Sequence, residues 1–377
     1  MALEFRGSQD HTLGVEIEYQ LVDRKSRNLV QRAPQLLAAL QEDSWAKPEL
    51  FQSTIEINTR VCRDVREVRQ DLTEKVQRVQ EVADRSGIAL LCAGTHPFAR
   101  WNDQKVTQND RYFRLIERMQ WTAEQLLIFG MHVHVGIPDG KTAIAVINHL
   151  EPWLPHLLAM TASSPFWEGV DTGLASVRSK IFEHLPTAGL PYRHGNWHEF
   201  ETLVESLITA GAIESSREIW WDVRPHPGFG TIEVRVCDGT PTISEAVAIS
   251  ALVQALIVHL EREIRNGKTG LDLHNRVVRE NKWRAARWST RGATIINGSG
   301  QIEPIADSIK SLLVTLQPVF AELGSLQELP QLQRMITEKP SYARQRAIYR
   351  DAGDLVAVVD ALVRECEQDK PVLIEEY

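Results

Sequence analysis

Four short stretches place acidic, imidazole and guanidinium side chains two residues apart. In LGVEIEYQLVD, Leu13 to Asp23, Glu16 and Glu18 share a face with Gln20, opposite Val15, Ile17, Tyr19 and Leu21. STIEINTR sets Thr54, Glu56 and Asn58 opposite Ile55 and Ile57. GMHVHVGI sets His132 and His134 opposite Met131, Val133, Val135 and Ile137, and TIEVRVCDG sets Glu233 and Arg235 opposite Ile232, Val234 and Val236. A period of two is the mark of a half-buried strand. Glutamate is disfavoured in strands, and like charges one step apart on the same face repel. One such strand reads as a sheet with a solvated face. Four of them, converging, would repel and lose hydration unless cations neutralised them. A mixture of Glu and His suits hard divalent ions such as Mg²⁺ or Mn²⁺, and several carboxylates could hold two or more ions.

The arginines add a second hint. WWDVRPHPGFGTIEVRVCD, Trp220 to Asp238, reads as two strands joined by a Pro/Gly loop, with Arg224 on the first and Arg235 on the second. A guanidinium beside a metal-carboxylate site binds carboxylate or phosphate with its planar fork, although Arg235 could equally pair with Glu233. Divalent ions with oxyanion-binding arginines point to phosphoryl transfer. The chain has neither a G-x-x-x-x-G-K-[ST] loop nor a kinase-type glycine loop, so nucleotide phosphates would rest on metals and arginines. The residues alone also leave open a metal-dependent hydrolase and a non-catalytic metal or metabolite binder.

What must position these groups is a chain of 377 residues, 43% hydrophobic and 24% charged, with a net charge of -8. These are the values of a folded globular protein, and the acidic balance argues against nucleic acid as a partner. The stretch MALEFRGSQDH lacks an apolar signal core, and the apolar run Ala246 to Leu260 is too short for a bilayer, so no membrane partner and a cytoplasmic location are expected. Cys62, Cys92, Cys237 and Cys366 are scattered and read as reduced structural residues, not a zinc site. Apolar spacing predicts helices over Asp64 to Arg85, Lys141 to Met160, Trp197 to Ala210, Ile243 to Arg265, Leu271 to Arg287, Asp307 to Leu323 and Ala343 to Cys366. No repeat or low-complexity linker divides the chain, so a single domain over 1–377 is expected, with packing helices from about residue 300 that could serve a homo-oligomer.

GVEIEY, STIEINT, GTHPF, MHVHVG, SSPFWEG and WWDVRPHPGFGTIEVRVCD occur in an order that resembles the bacterial carboxylate-amine ligases of glutamate-cysteine ligase type 2. That family is a branch of the glutamine synthetase-like superfamily. The likeness runs from about Leu13 to Ser289. It implies an α+β fold: a curved, mainly antiparallel sheet flanked by helices, holding ATP and two or three Mg²⁺ or Mn²⁺ ions on its concave face. The resemblance makes Glu16, Glu18, Glu56 and Glu233 metal ligands with His132 the imidazole ligand, and sets His134 nearer the nucleotide or the metal edge. It gives Arg235 the transferring phosphoryl group, and Arg224 and Arg178 phosphate or substrate carboxylate. The segment ENKWRAARWS resembles a family segment too, adding Asn281 to the substrate or nucleotide contacts, whereas Arg284 and Arg287 read as solvated charges. The family has glycine where this chain has Ser289.

The activity so implied is ATP-dependent amide-bond formation. A substrate carboxylate, the γ-carboxylate if the acid is glutamate, takes the terminal phosphoryl group; an amine such as that of cysteine then attacks the acyl phosphate. Water must be kept out, and the Pro/Gly-containing segment Leu185 to Gly195 is the expected lid.

Overall fold

The computed structural model describes residues 3–8, 10–40, 44–268, 270–271 and 273–372. Met1, Ala2 and Gln9 of the N-terminal stretch, and Asp272 near the start of the expected helix from Leu271, lie outside them. Seven strands form one antiparallel sheet: β1 (Leu13–Asp23), β2 (Ala46–Pro48), β3 (Thr54–Asn58), β4 (Ile88–Leu91), β5 (Met131–Gly136), β6 (Val223–His226) and β7 (Thr231–Val234). Their order is β6-β7-β5-β1-β3-β2, with β4 also on β1. The 11-residue β1 is long enough to pair with β5 over Leu13–Ile17 and with β4 over Gln20–Asp23. Pro225, which cannot donate to a ladder, sits in the edge strand β6.

The apolar face of the sheet is the core. Val15, Ile17, Tyr19, Leu21, Ile55, Ile57, Val133 and Val135 are all buried there. The helix Val65–Asp84, capped by Asp64, supplies Val68, Leu72 and Val79; the helix Ile243–Arg265, opened by a Thr242/Glu245 capping box, is buried along most of its length. The latter is long and apolar enough to cross a membrane, yet 83% of its most apolar window lies inside the protein, which makes it a core helix.

Three expected helices differ in detail. Lys141 to Met160 is broken into Gly140–Leu150, a single tight turn at Glu151–Trp153 and Leu154–Thr161, because Pro152 and Pro155 each lack an N–H to continue the ladder. Ala343 to Cys366 is divided by Gly353, at φ +69°, into Ser341–Ala352 and Leu355–Gln368. The helix expected from Leu271 begins at Asn275, behind the His274 cap, and runs to Gly292 with a kink at Ser289. That serine is buried at φ 52°, ψ -154°, a conformation glycine tolerates best, and its hydroxyl donates to the Ala159 carbonyl at 2.5 Å. Asp110–Met119 is a helix that apolar spacing did not single out: none of its residues is buried.

Candidate active site

Strand register turns alternation into a surface. Glu18 faces Glu56 and Glu16 faces Asn58 across β1 and β3; Glu16 faces His132 across β1 and β5. On the other side Glu233 faces His134 on β5 and Arg224 on β6. All five residues expected as metal ligands therefore occupy the face opposite the core. Glu16, Glu18, Glu56 and His132 line a cleft of about 310 Å³ whose walls include Arg178, Arg235, Tyr112 and Trp220; Glu233 lies behind Arg224 and Arg235.

Within the cleft the carboxylates form two groups. One oxygen each of Glu18, Glu49 and Glu56 lies within 4.8 Å of the others, and Glu16, His134 and Glu233 form a second such set. Burial raises the proton affinity of Glu18, although Arg178 opposes it; burial and mutual repulsion raise those of Glu49 and Glu56. Three crowded carboxylates that favour protons are a site short of positive charge, and a divalent cation fits that need. Glu16 behaves differently: burial works against its charge, but His132 and His134 hold it below the usual carboxylate range. His132 Nδ1 lies 3.2 Å from Glu16 Oε2, and burial together with Arg235 lowers its proton affinity, leaving a ring lone pair for a metal. His134 Nδ1 bonds Thr231 Oγ1 at 2.9 Å, while its Nε2 has no hydrogen-bond partner among the described residues. Glu49 was not among the residues picked from the sequence. It sits in the connection between β2 and β3, where no alternation marks it, and only the turn of KPELFQSTIE brings it beside Glu56.

The arginines divide by what they touch. Arg224 grips Glu233 in bidentate fashion at 2.8 and 3.1 Å and spends Nη1 on the carbonyls of Arg217 and Ile219 at 2.6 and 2.8 Å. Its fork is thus largely occupied in holding a carboxylate and a loop. Arg235 contacts Glu233 and approaches His132 Nδ1 at 3.4 Å, with its Nε unpartnered. The Asp222 carbonyl accepts from both Arg235 N and Val236 N, a bulge that fixes the aim of Arg235. Arg178 is buried with an unpartnered Nε and lies over Gly130, where a Cβ would come within 2.2 Å of the guanidinium. The glycine opposite Glu18 is what lets that arginine reach the carboxylates.

Two expectations do not survive the geometry. Asn281 does not line the cleft; its amide donates to the Ile296 carbonyl at 2.9 Å and accepts from Ile296 N at 2.8 Å, tying its helix to a short hairpin. Leu185 to Gly195 is anchored rather than loose. Ala188–Gly189 pairs with Trp220–Trp221, Arg193 bonds Glu151 at 2.7 Å and His194 stacks on Trp221. The helix Asp110–Met119 instead contributes Arg111, Tyr112 and Leu115 to the cleft wall. Tyr112 donates to the Pro48 carbonyl at 3.0 Å, and Arg114 and Arg118 pair with Glu214 and Glu218 at 2.8 and 2.5 Å. GTHPF is structural: His96 Nδ1 accepts from Phe98 N and Ala99 N, and Nε2 bonds the Arg27 carbonyl.

The profile of glutamate-cysteine ligase family 2 matches residues 12–361. The chain belongs to that family. It is 46% identical to a protein of Frankia casuarinae provisionally named glutamate–cysteine ligase 2-1, over 99% of this chain and 100% of that one. Its identity to a like-named glutamate–cysteine ligase 2 of Gloeobacter violaceus is also 46%, covering 95% and 98%. Among solved structures, the glutamate–cysteine ligase of Francisella tularensis in complex with AMP matches with a TM-score of 0.71 at 14% identity, covering 96% of this chain and 89% of that one. A bifunctional glutathione synthetase of Pasteurella multocida matches at 0.63. The fold expected from the motifs, an antiparallel sheet flanked by helices, is the one observed, and the family is one of ATP-dependent carboxylate-amine ligases.

Proposed function

We propose that the chain joins an amino-acid carboxylate to an amine at the expense of ATP, with glutamate and cysteine as the pair its relatives' names give. The observation that carries this reading is the presence of Glu16, Glu18, Glu49 and Glu56 together with Arg178 and Arg235 in one cleft. Two guanidinium groups beside that floor suit the oxyanions of a transferring phosphoryl group and a substrate carboxylate.

Mg²⁺ or Mn²⁺, two or three ions, would be held by Glu18, Glu49 and Glu56 and by Glu16, Glu233 and the two histidines. Once bound they supply neutralising charge for nucleotide phosphates. Beyond Glu16 a second hollow of about 490 Å³ carries Lys47, Arg60 and Arg6 with apolar Val61 and Phe229 in its wall. Cations with apolar walls suit a nucleotide, and the cleft with Arg178 and Arg235 suits the acid. Glu16 and Lys47 line both, so the phosphoryl group would pass at their junction.

Arg235 and Arg178 spread the charge of the transferring oxygens while the substrate carboxylate oxygen bonds phosphorus and ADP leaves. The amine then bonds the acyl carbon and phosphate departs. The Asp110–Met119 helix keeps water from the acyl phosphate between the two steps. Cytoplasmic ATP is the natural co-substrate.

The test is ADP release with Mg²⁺ and ATP against paired amino acids, with Glu56→Gln and Arg235→Ala as controls. ADP should appear only when acid and amine are both present, and not in the controls. ADP formed from ATP alone at the same rate, or product formed without ATP, would rule the reading out.

A further inference from the structure

The family's chemistry concerns phosphates and carboxylates; it leaves the planar end of the nucleotide without a named contact. We propose that Phe229 is the platform on which the nucleotide base stacks, an assignment that rests on reading the second hollow as the nucleotide chamber.

Phe229 stands at the tip of the β6–β7 hairpin, 57% exposed, on the border shared by the cleft and the second hollow. Single exposed apolar side chains are common, and exposure alone assigns nothing; what sets Phe229 apart is that it lines both hollows where they meet. One face is already in use: it stacks on His226 with centroids 4.1 Å apart and planes at 16°. His134 meets it edge-to-face with centroids 5.8 Å apart, its own Nε2 lying 3.5 Å from Glu16 at the same border. Phe229 thereby joins His226 and His134 in a three-ring cluster at the wall of the chamber. Besides His134 it is the one aromatic ring lining the second hollow among the described residues.

The backbone holds the ring in place independently of its side chain. Phe229 N donates to His226 Nδ1 at 3.2 Å, and Gly230 N to the His226 carbonyl at 2.9 Å. Gly230 lies at φ +66°, and a Cβ there would fall 1.7 Å from the Arg6 carbonyl oxygen, so the turn is wedged against the N-terminal segment. Arg6 N in turn donates to the Pro227 carbonyl at 3.0 Å. A platform fixed beforehand adds little ordering cost on binding. Every base has a π face, and stacking on an aromatic side chain contributes about 1–3 kcal/mol, or roughly 5- to 150-fold in affinity.

Calorimetric titration separates base from phosphate. Mg²⁺ with ADP, and Mg²⁺ with inorganic tripolyphosphate, are titrated into the wild type, Phe229→Ala and Phe229→Trp. Phe229→Ala should weaken ADP by about 5- to 150-fold and leave tripolyphosphate unchanged, and Phe229→Trp should restore ADP. Equal ADP affinity in wild type and Phe229→Ala overturns the platform and leaves the ligase reading standing. Equal losses for both ligands also overturn it, because the ring would then serve the turn. A wild type that binds no ADP overturns the platform and the ATP-dependent reading together.

Discussion

Replacing Lys282 by methionine should be among the most damaging single changes outside the metal face. Its ammonium is 1% exposed and lies 2.5 Å from Asp222 and 2.6 Å from Glu183. Burial opposes its charge, but the two carboxylates outweigh that and raise its proton affinity. Methionine fills much the same volume, so the loss is one of charge rather than of packing. Glu183 is 25% exposed and keeps Lys180 at 2.6 Å, whereas Asp222 is 6% exposed and has no other side-chain partner among the described residues. The stranded charge is therefore Asp222, and stranding one partner of a buried pair costs about 3–5 kcal/mol. Adding Asp222→Asn removes that charge and should bring the loss down to about 1–2 kcal/mol, the scale of missing hydrogen bonds. Urea unfolding with an unchanged m-value measures both. A single variant that loses less than about 1 kcal/mol, or a double variant as unstable as the single, would refute this account of the pair. The same change should lower kcat, since Asp222 holds the bulge that aims Arg235 and Glu183 ends the short helix that carries Arg178.

Ser289→Gly and Ser289→Ala both lose the hydroxyl's bond to Ala159, yet the glycine variant should be more stable than the alanine one by about 1 kcal/mol, the reverse of their helix propensities, because only glycine relieves the positive φ; equal melting points for the two would count against strain there. Glu49→Gln should raise the melting point of the metal-free protein by easing repulsion with Glu18 and Glu56, and weaken Mn²⁺ by roughly 10- to 100-fold in an electron-paramagnetic-resonance titration. Unchanged values for both would remove Glu49 from the site. Burial pushes the proton affinity of His96 down to about 4, below its unfolded value near 6.5. Its contribution is therefore present in full above pH 6.5 and lost as pH falls toward 4, by about 3 kcal/mol. Urea unfolding at pH 7 and 4.5 should show that loss, and His96→Asn should flatten the slope between them.

Alternation carried most of the site because a strand's period of two is local: Glu16 and Glu18 must share a face whatever lies beside them. It could not supply register, so neither the Glu18–Glu56 pairing nor the split into two carboxylate groups was legible. Glu49 escaped because a connection between short strands has no period to break. Arg224 and Asn281 were legible as residue types but not as contacts; each spends its polar atoms on its own protein. Among the helices, long apolar stripes such as Val65–Asp84 were plain, while proline pairs and Gly353 divided others whose apolar spacing ran on across the break. The Asp110–Met119 helix was overlooked for a physical reason as well: Tyr112, Leu115 and Ile116 only half bury themselves against a core cluster, and Tyr112 and Leu115 also line the cleft.

Because β1 lends both its edges to neighbours, chemistry and folding are read from a single ruler. A slip of one position would drive Glu16 and Glu18 in among Val68 and Leu72 and turn Ile17 and Tyr19 out to water. No stable but misthreaded form of this enzyme is to be expected, since the error that spoils the site also empties the core. The acidic pair thus acts as its own proofreader during assembly.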